Sequence, residues 1–125
     1  MQTQMLSPLQ PTGTLNSPKH SDTLVLQIVD YINKEYQQKL TLDGLAKTFY
    51  LSKNTLCKRF REQMNCSPIQ YAVYTRLNKA KMYLSSTDKN VSEIAELCGF
   101  PSANYLGIVF KKQIGISPLN YRKKQ

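Results

Sequence analysis

Ser52–Tyr71, SKNTLCKRFREQMNCSPIQY, is answered fifty residues later by Ser102–Tyr121, SANYLGIVFKKQIGISPLNY. Eight of the twenty positions are identical: Ser52/Ser102, Asn54/Asn104, Leu56/Leu106, Phe60/Phe110, Gln63/Gln113, Ser67/Ser117, Pro68/Pro118 and Tyr71/Tyr121. Upstream, Leu42, Leu45 and Ala46 match Val91, Ile94 and Ala95 at a spacing one residue shorter. The second copy therefore has one extra residue before its serine, in a turn. A unit of about 30 residues, repeated on either side of a middle segment, predicts a pseudo-duplicated architecture.

Each copy has the grammar of two short helices. Thr41 can cap the first, with Leu42, Leu45 and Ala46 on one face. Phe49-Tyr50-Leu51 makes a turn, and Ser52 caps a second helix from Lys53 to about Gln63. Leu56 and Phe60 face inward from it, and Ala46 is small where the helices must approach. This is a helix-turn-helix over about residues 41–63. The second spans about residues 90–114: Val91 to Gly99, then Ser102 to about Ile114, with Gly99 suiting a helix C-terminus. Between them Ser67-Pro68 gives an N-cap followed by proline at the first helical position. A connector helix over about residues 67–85 follows, roughly 25 Å long, striped by Ile69, Ala72, Val73, Arg76, Leu77, Ala80 and Leu84. The expected fold is all-α, with two helix-turn-helix subdomains joined by that helix.

Residues 21–125 form the expected domain, opening at Ser21 or Asp22 as a cap. Leu24, Val25, Ile28, Val29, Ile32 and Tyr36 then follow at helical spacing. Residues 1–20 are rich in Gln, Pro, Thr and Ser and read as a disordered tail or linker.

Charge narrows the partners. Seventeen Lys and Arg face eight Asp and Glu, a formal net charge of +9. Such an excess favours a polyanion, either nucleic acid or an anionic membrane surface. No apolar run approaches the roughly 20 residues needed to span a bilayer, and the N-terminus does not read as a signal peptide. Cys57, Cys66 and Cys98 lack metal-ligand spacing and His20 is the lone histidine, which speaks against zinc. Reduced thiols in a cytosolic protein are the simplest reading. Nucleophile–His–acid sets and Gly-rich phosphate loops are missing, so neither an enzyme nor a cofactor is expected.

The second helix of the first copy presents Lys53, Asn54, Cys57, Lys58 and Arg61 on one outward stripe. Asn can bond adenine bidentately and Lys can donate to guanine, while Lys53 and Arg61 suit phosphate. The stripe of the second copy is Ala103, Asn104, Gly107, Ile108, Lys111 and Lys112. Asn104 is its one good base reader, Ile108 can touch a thymine methyl, and Lys111 and Lys112 can hold phosphate. The second unit is expected to add more affinity and less sequence choice than the first. A charged stripe alone is also what an ordinary solvated helix shows; duplication and net charge favour DNA. Helices entering successive major grooves must sit about 34 Å apart, or the DNA must bend to fit.

Other prominent residues have structural readings. Tyr71 and Tyr121 are expected to pack, and Arg76, on the apolar side of the connector, to bond internally. Cys57 reads as a small groove-facing side chain, and Cys66 and Cys98 as partly buried and inert. Glu93 favours a helix N-terminus; His20 has no assigned role.

The run VSEIAELCGFPSANYLGIVFKKQIGISPLNYR resembles the signature of the AraC/XylS family of bacterial transcription regulators. The matching residues are Ile94-Ala95, Gly99-Phe100, Tyr105-Leu106, Phe110-Lys111-Lys112, Gly115, Ser117-Pro118 and Tyr121-Arg122. Leu45-Ala46, Ser52, Leu56, Phe60, Arg76-Leu77 and Ala80 fit in the first copy and connector. Leu106 replaces a usual Phe, Asn65 stands where Gly is usual, and Gly107 and Ile108 replace groups often polar or basic. The resemblance covers about Leu24 to Arg122 and implies about seven helices. It also implies an activator that binds operator or promoter DNA and often contacts RNA polymerase, and, in many members, a separate effector-binding or dimerisation domain. The expected protein is then a monomeric, sequence-specific double-stranded DNA binder of the bacterial cytoplasm and nucleoid. The competing expectations are a basic helical module for a protein or membrane, and a nonspecific architectural DNA binder.

Overall fold

The computed structural model describes residues 22–124. The tail expected over residues 1–20, with His20, lies outside them, as do Ser21 and Gln125. Seven helices make up the described residues, which contain no strand: α1 Thr23–Glu35, α2 Leu42–Thr48, α3 Lys53–Met64, α4 Pro68–Ser86, α5 Val91–Cys98, α6 Ala103–Ile114 and α7 Pro118–Lys123. No helix among these residues is long and apolar enough to cross a membrane.

The helix starts follow from side-chain oxygens that satisfy orphan backbone N–H groups. Asp22 opens α1, its carboxylate accepting from Leu24 and Val25. Thr41, Ser52, Asn90, Ser102 and Ser117 cap α2, α3, α5, α6 and α7. The Ser67 hydroxyl accepts from the Gln70 N–H while the Gln70 side chain accepts from the Ser67 N–H, so α4 begins in a reciprocal capping box. Asn90 and Glu93 form another at α5. Left-handed residues stop three helices: Asn65 (φ 64°), Gly99 (φ 88°) and Gly115 (φ 100°).

The chain divides into two compact units, with the boundary inside α4 after Tyr74. In the first unit α1, α2, α3 and the start of α4 enclose one core. Val25, Ile28 and Ile32 from α1 meet Leu45 and Ala46 from α2, Leu56, Phe60 and Met64 from α3, and Cys66 and Ala72. Tyr71 lays its ring edge-on against Phe60 at 5.9 Å, the packing role expected of it.

The second unit takes its core from Leu77, Ala80, Leu84, Ile94, Ala95, Cys98, Phe100, Leu106 and Phe110. Tyr121 stands edge-on to Phe110 at 5.4 Å, repeating the Tyr71–Phe60 pair. Tyr36 departs from expectation. Helix α1 ends at Glu35, and Tyr36–Lys39 belong to the second unit. The backbone leaving the helix offers carbonyls that Arg76 takes up: Nε donates to the Tyr36 oxygen (2.7 Å) and a terminal nitrogen to that of Gln38 (2.9 Å). Arg76 is thus an internal tie, as its place on the connector predicts. Arg122 does the same for the end of α4, donating to the carbonyls of Leu84 and Thr87.

The extra residue of the second copy is Pro101. In both copies the first helix closes with an N–H donating five residues back, Leu51 to Ala46 and Phe100 to Ala95. Tyr50 (φ 56°) and Gly99 then occupy the same left-handed position. Ser52 follows Leu51 directly, whereas Pro101 separates Phe100 from Ser102.

Candidate nucleic-acid interface

Helix α3 turns three side chains, Leu56, Phe60 and Met64, into the core. That fixes its rotation and leaves Lys53, Asn54, Lys58 and Arg61 exposed, with Cys57 half-exposed beside them. Helix α6 is held by Leu106 and Phe110 in the same register. Asn104, Ile108, Lys111 and Lys112 are exposed, and Ala103 and Gly107 half-exposed. Each unit therefore gathers its own sequence-predicted residues onto one side of one capped helix. Asn54 and Asn104 stand at equivalent places. Lys58 is replaced by Ile108, Arg61 by Lys111 and Glu62 by Lys112. The first stripe is richer in donors able to discriminate bases, and the second gains a cation where the first has an acid.

Two pairings were not legible in the stripe. Lys53 Nζ lies 3.1 Å from the Asp43 carboxylate, both groups more than half exposed, a weak and solvent-screened pair that phosphate can replace. Arg59, next to Lys58, bonds the Asp22 carboxylate with two nitrogens at 2.8 Å each. The Gln63 side chain accepts from the Asp22 N–H at 2.9 Å. At about 100° per residue, Arg59 and Gln63 stand on the side of α3 away from Asn54 and Arg61. The Arg59 guanidinium, outweighing the opposing effect of burial, holds the Asp22 carboxyl below the usual carboxylate range. Asp22 thus ties the start of α1 to the flank of α3 that carries no candidate reader. A separation of 37 residues hides this contact from any periodic pattern.

Charge is divided unequally. Residues 36–39 and 75–124 carry ten lysines and arginines against three acids, whereas residues 22–35 and 40–74 carry six against five. The second unit carries most of the net positive charge of the described residues.

The cysteines are free thiols. Burial pushes Cys98 up to about 11 and raises Cys66 as well, so both stay protonated and unreactive at neutral pH. No group of three or more His, Cys, Asp or Glu able to hold a metal occurs among the described residues.

A helix-turn-helix domain family of the AraC/XylS type matches residues 45–124. The chain belongs to the AraC/XylS family. It is 32% identical over 103 residues to YdiP, an uncharacterized HTH-type transcriptional regulator of Escherichia coli K12, covering 82% of this chain and 34% of YdiP. The chain thus spans about a third of the length of the curated relatives it matches. Among solved structures, the C-terminal domain of AraT, a response regulator from Geobacillus stearothermophilus, superposes with a TM-score of 0.80 at 31% identity, covering 83% of this chain and 87% of that one. The DNA-binding domain of AdpA, a global transcriptional factor solved with a target DNA, gives 0.77 at 32% identity, with 83% and 93% covered. Against the AraC/XylS signature, Leu106 still fills a fully buried core site. Asn65 still adopts the left-handed conformation usually given to Gly.

Proposed function

We propose that this AraC/XylS chain binds double-stranded DNA sequence-specifically and regulates transcription, as an activator, by inserting α3 and α6 into successive major grooves. The observation that carries the reading is the pair of polar stripes displayed in one register on two capped helices. AdpA, whose domain was solved on its target DNA, supports it. Asn54, Lys58 and Asn104 are assigned to base edges and Ile108 to a thymine methyl, with Cys57 and Gly107 as small groove-facing positions. Lys53, Arg61, Lys111 and Lys112 are assigned to phosphates, and Ala103 lets the backbone of α6 approach the groove.

On this reading the chain acts on operator or promoter DNA as a monomeric module of the bacterial cytoplasm and nucleoid. It uses no cofactor and performs no catalysis, and it contacts RNA polymerase to activate. The experiment is selection of bound duplexes from a random library, followed by affinity measurement on selected and scrambled duplexes across a salt series. The expected result is a recurrent motif, a specific affinity at least about a thousandfold above nonspecific, and a steep salt dependence. Equal retention of selected and scrambled DNA would leave an architectural binder. Tight binding to anionic vesicles with no DNA preference would leave a membrane module.

A further inference from the structure

We infer that Tyr50 is a DNA-backbone contact, held in a strained conformation in the turn of the first unit so that its side chain meets the duplex beside α3. The inference rests on the DNA-binding reading above. Tyr50 has φ 56°, a left-handed conformation that bulky side chains rarely adopt. It is also 93% exposed, so burial in the folded chain returns nothing for that strain. The turn does require the conformation: Tyr50 N–H donates to the Lys47 carbonyl, and Leu51 N–H to that of Ala46. The second unit fills the same position with Gly99. Crowding forces glycine there, because a Cβ would come within 2.7 Å of the Tyr36 carbonyl oxygen. Exposure at Tyr50 lifts that restriction without making the aromatic favourable. The two backbone hydrogen bonds of Tyr50 and Leu51 stabilise the turn, but nothing in the folded chain offsets an aromatic side chain there, and an uncompensated bulky residue at such a position points to a ligand outside the chain.

The position suggests the ligand. Tyr50 lies two residues before Ser52, the cap of α3, and three before Lys53, where the candidate stripe starts. The neighbouring Lys47, Thr48, Lys53 and Asn54 side chains are exposed as well. Tyrosine offers a flat apolar ring for a deoxyribose and one hydroxyl to donate to a phosphate oxygen, a contact that positions without reading bases. Being neutral, it releases no counterion, so it adds affinity without adding to the salt slope.

The test uses the full 125-residue chain, a duplex it selects from a random library and a scrambled duplex of the same composition. Tyr50→Gly and Tyr50→Phe are compared with the parent and with Lys58→Ala, each well below its unfolding midpoint so that affinity is read on folded protein. Tyr50→Gly is expected to weaken both duplexes about fivefold or more, with an unchanged slope of log affinity against log salt. Its unfolding midpoint is expected to stay level or rise by up to about 4 °C as the strain is released. Tyr50→Phe, which keeps the ring, is expected to lose less than Tyr50→Gly. Affinity of Tyr50→Gly within twofold of the parent overturns the proposal. So does a loss confined to the selected duplex or accompanied by a changed salt slope, since either marks a disturbed α3. Reporter transcription lost with DNA affinity intact would assign Tyr50 to a protein partner, also against the proposal. If Lys58→Ala alters sequence choice in the same series, the DNA-binding reading stands whichever way Tyr50 behaves; if the parent selects no duplex at all, that reading itself fails.

Discussion

Lys58 and Arg59 are neighbours on one helix, yet they meet different surroundings. Lys58 is exposed on the candidate stripe, while Arg59 is bound in a fork to Asp22. Lys58→Ala is expected to relax base preference at one position of a selected site, and Lys111→Ala to weaken all duplexes alike while flattening the salt slope by about 1. Affinities on a panel of single-base variants check both. Asp22 carries a pH signature. Its pKa is lowered from 3.8 in the folded chain, so its contribution is full above that value and is lost as pH falls through the lowered one. Asp22→Asn keeps a capping side chain but removes the charge. Its stability is expected to fall less steeply than the parent's between pH 4 and the acid end, read as unfolding midpoints over an acid series. The stripe residues were legible from helical spacing. The role of Arg59 was not, because in sequence an internal ion pair and a phosphate contact are the same basic residue.

The helix starts at Thr41, Ser52 and Ser67-Pro68 were the most readable elements, being caps by residue type and position, and Ser102 and Ser117 cap at the places where the repeat matches Ser52 and Ser67. Tyr36 was the least readable. It continues the apolar spacing of α1, but its carbonyl meets Arg76, forty residues away, and no local pattern reports that. Two glycines separate conformational from steric demand. Gly99 combines φ 88° with a backbone oxygen 2.7 Å from where a Cβ would stand, so Gly99→Ala is expected to cost about 2 kcal/mol or more. Gly107 lies mid-helix, where a Cβ would meet nothing within 4 Å. Gly107→Ala is expected to stabilise α6 by about 1 kcal/mol. Denaturant unfolding of the two variants checks the opposite signs.

For the whole chain, duplication was visible in the repeat and the inequality of the two stripes in their residues, whereas the charge of each unit depends on where the unit boundary falls. Net charge is a property of the entire sequence, and the unit boundary inside α4 shows that most of it lies in the second unit, with Lys39 adding one charge to residues 75–124. We propose that the first unit, with nearly balanced charge, discriminates through its stripe and that the second attracts DNA through its lysines. In the proposed function α3 and α6 engage one duplex together. Hydroxyl-radical footprinting of the selected duplex tests it most directly. Two protected segments are expected on one face of the DNA, about 10 base pairs apart, the segment carrying the motif changed by Lys58→Ala being the one under α3. Protection confined to a single major groove would contradict it.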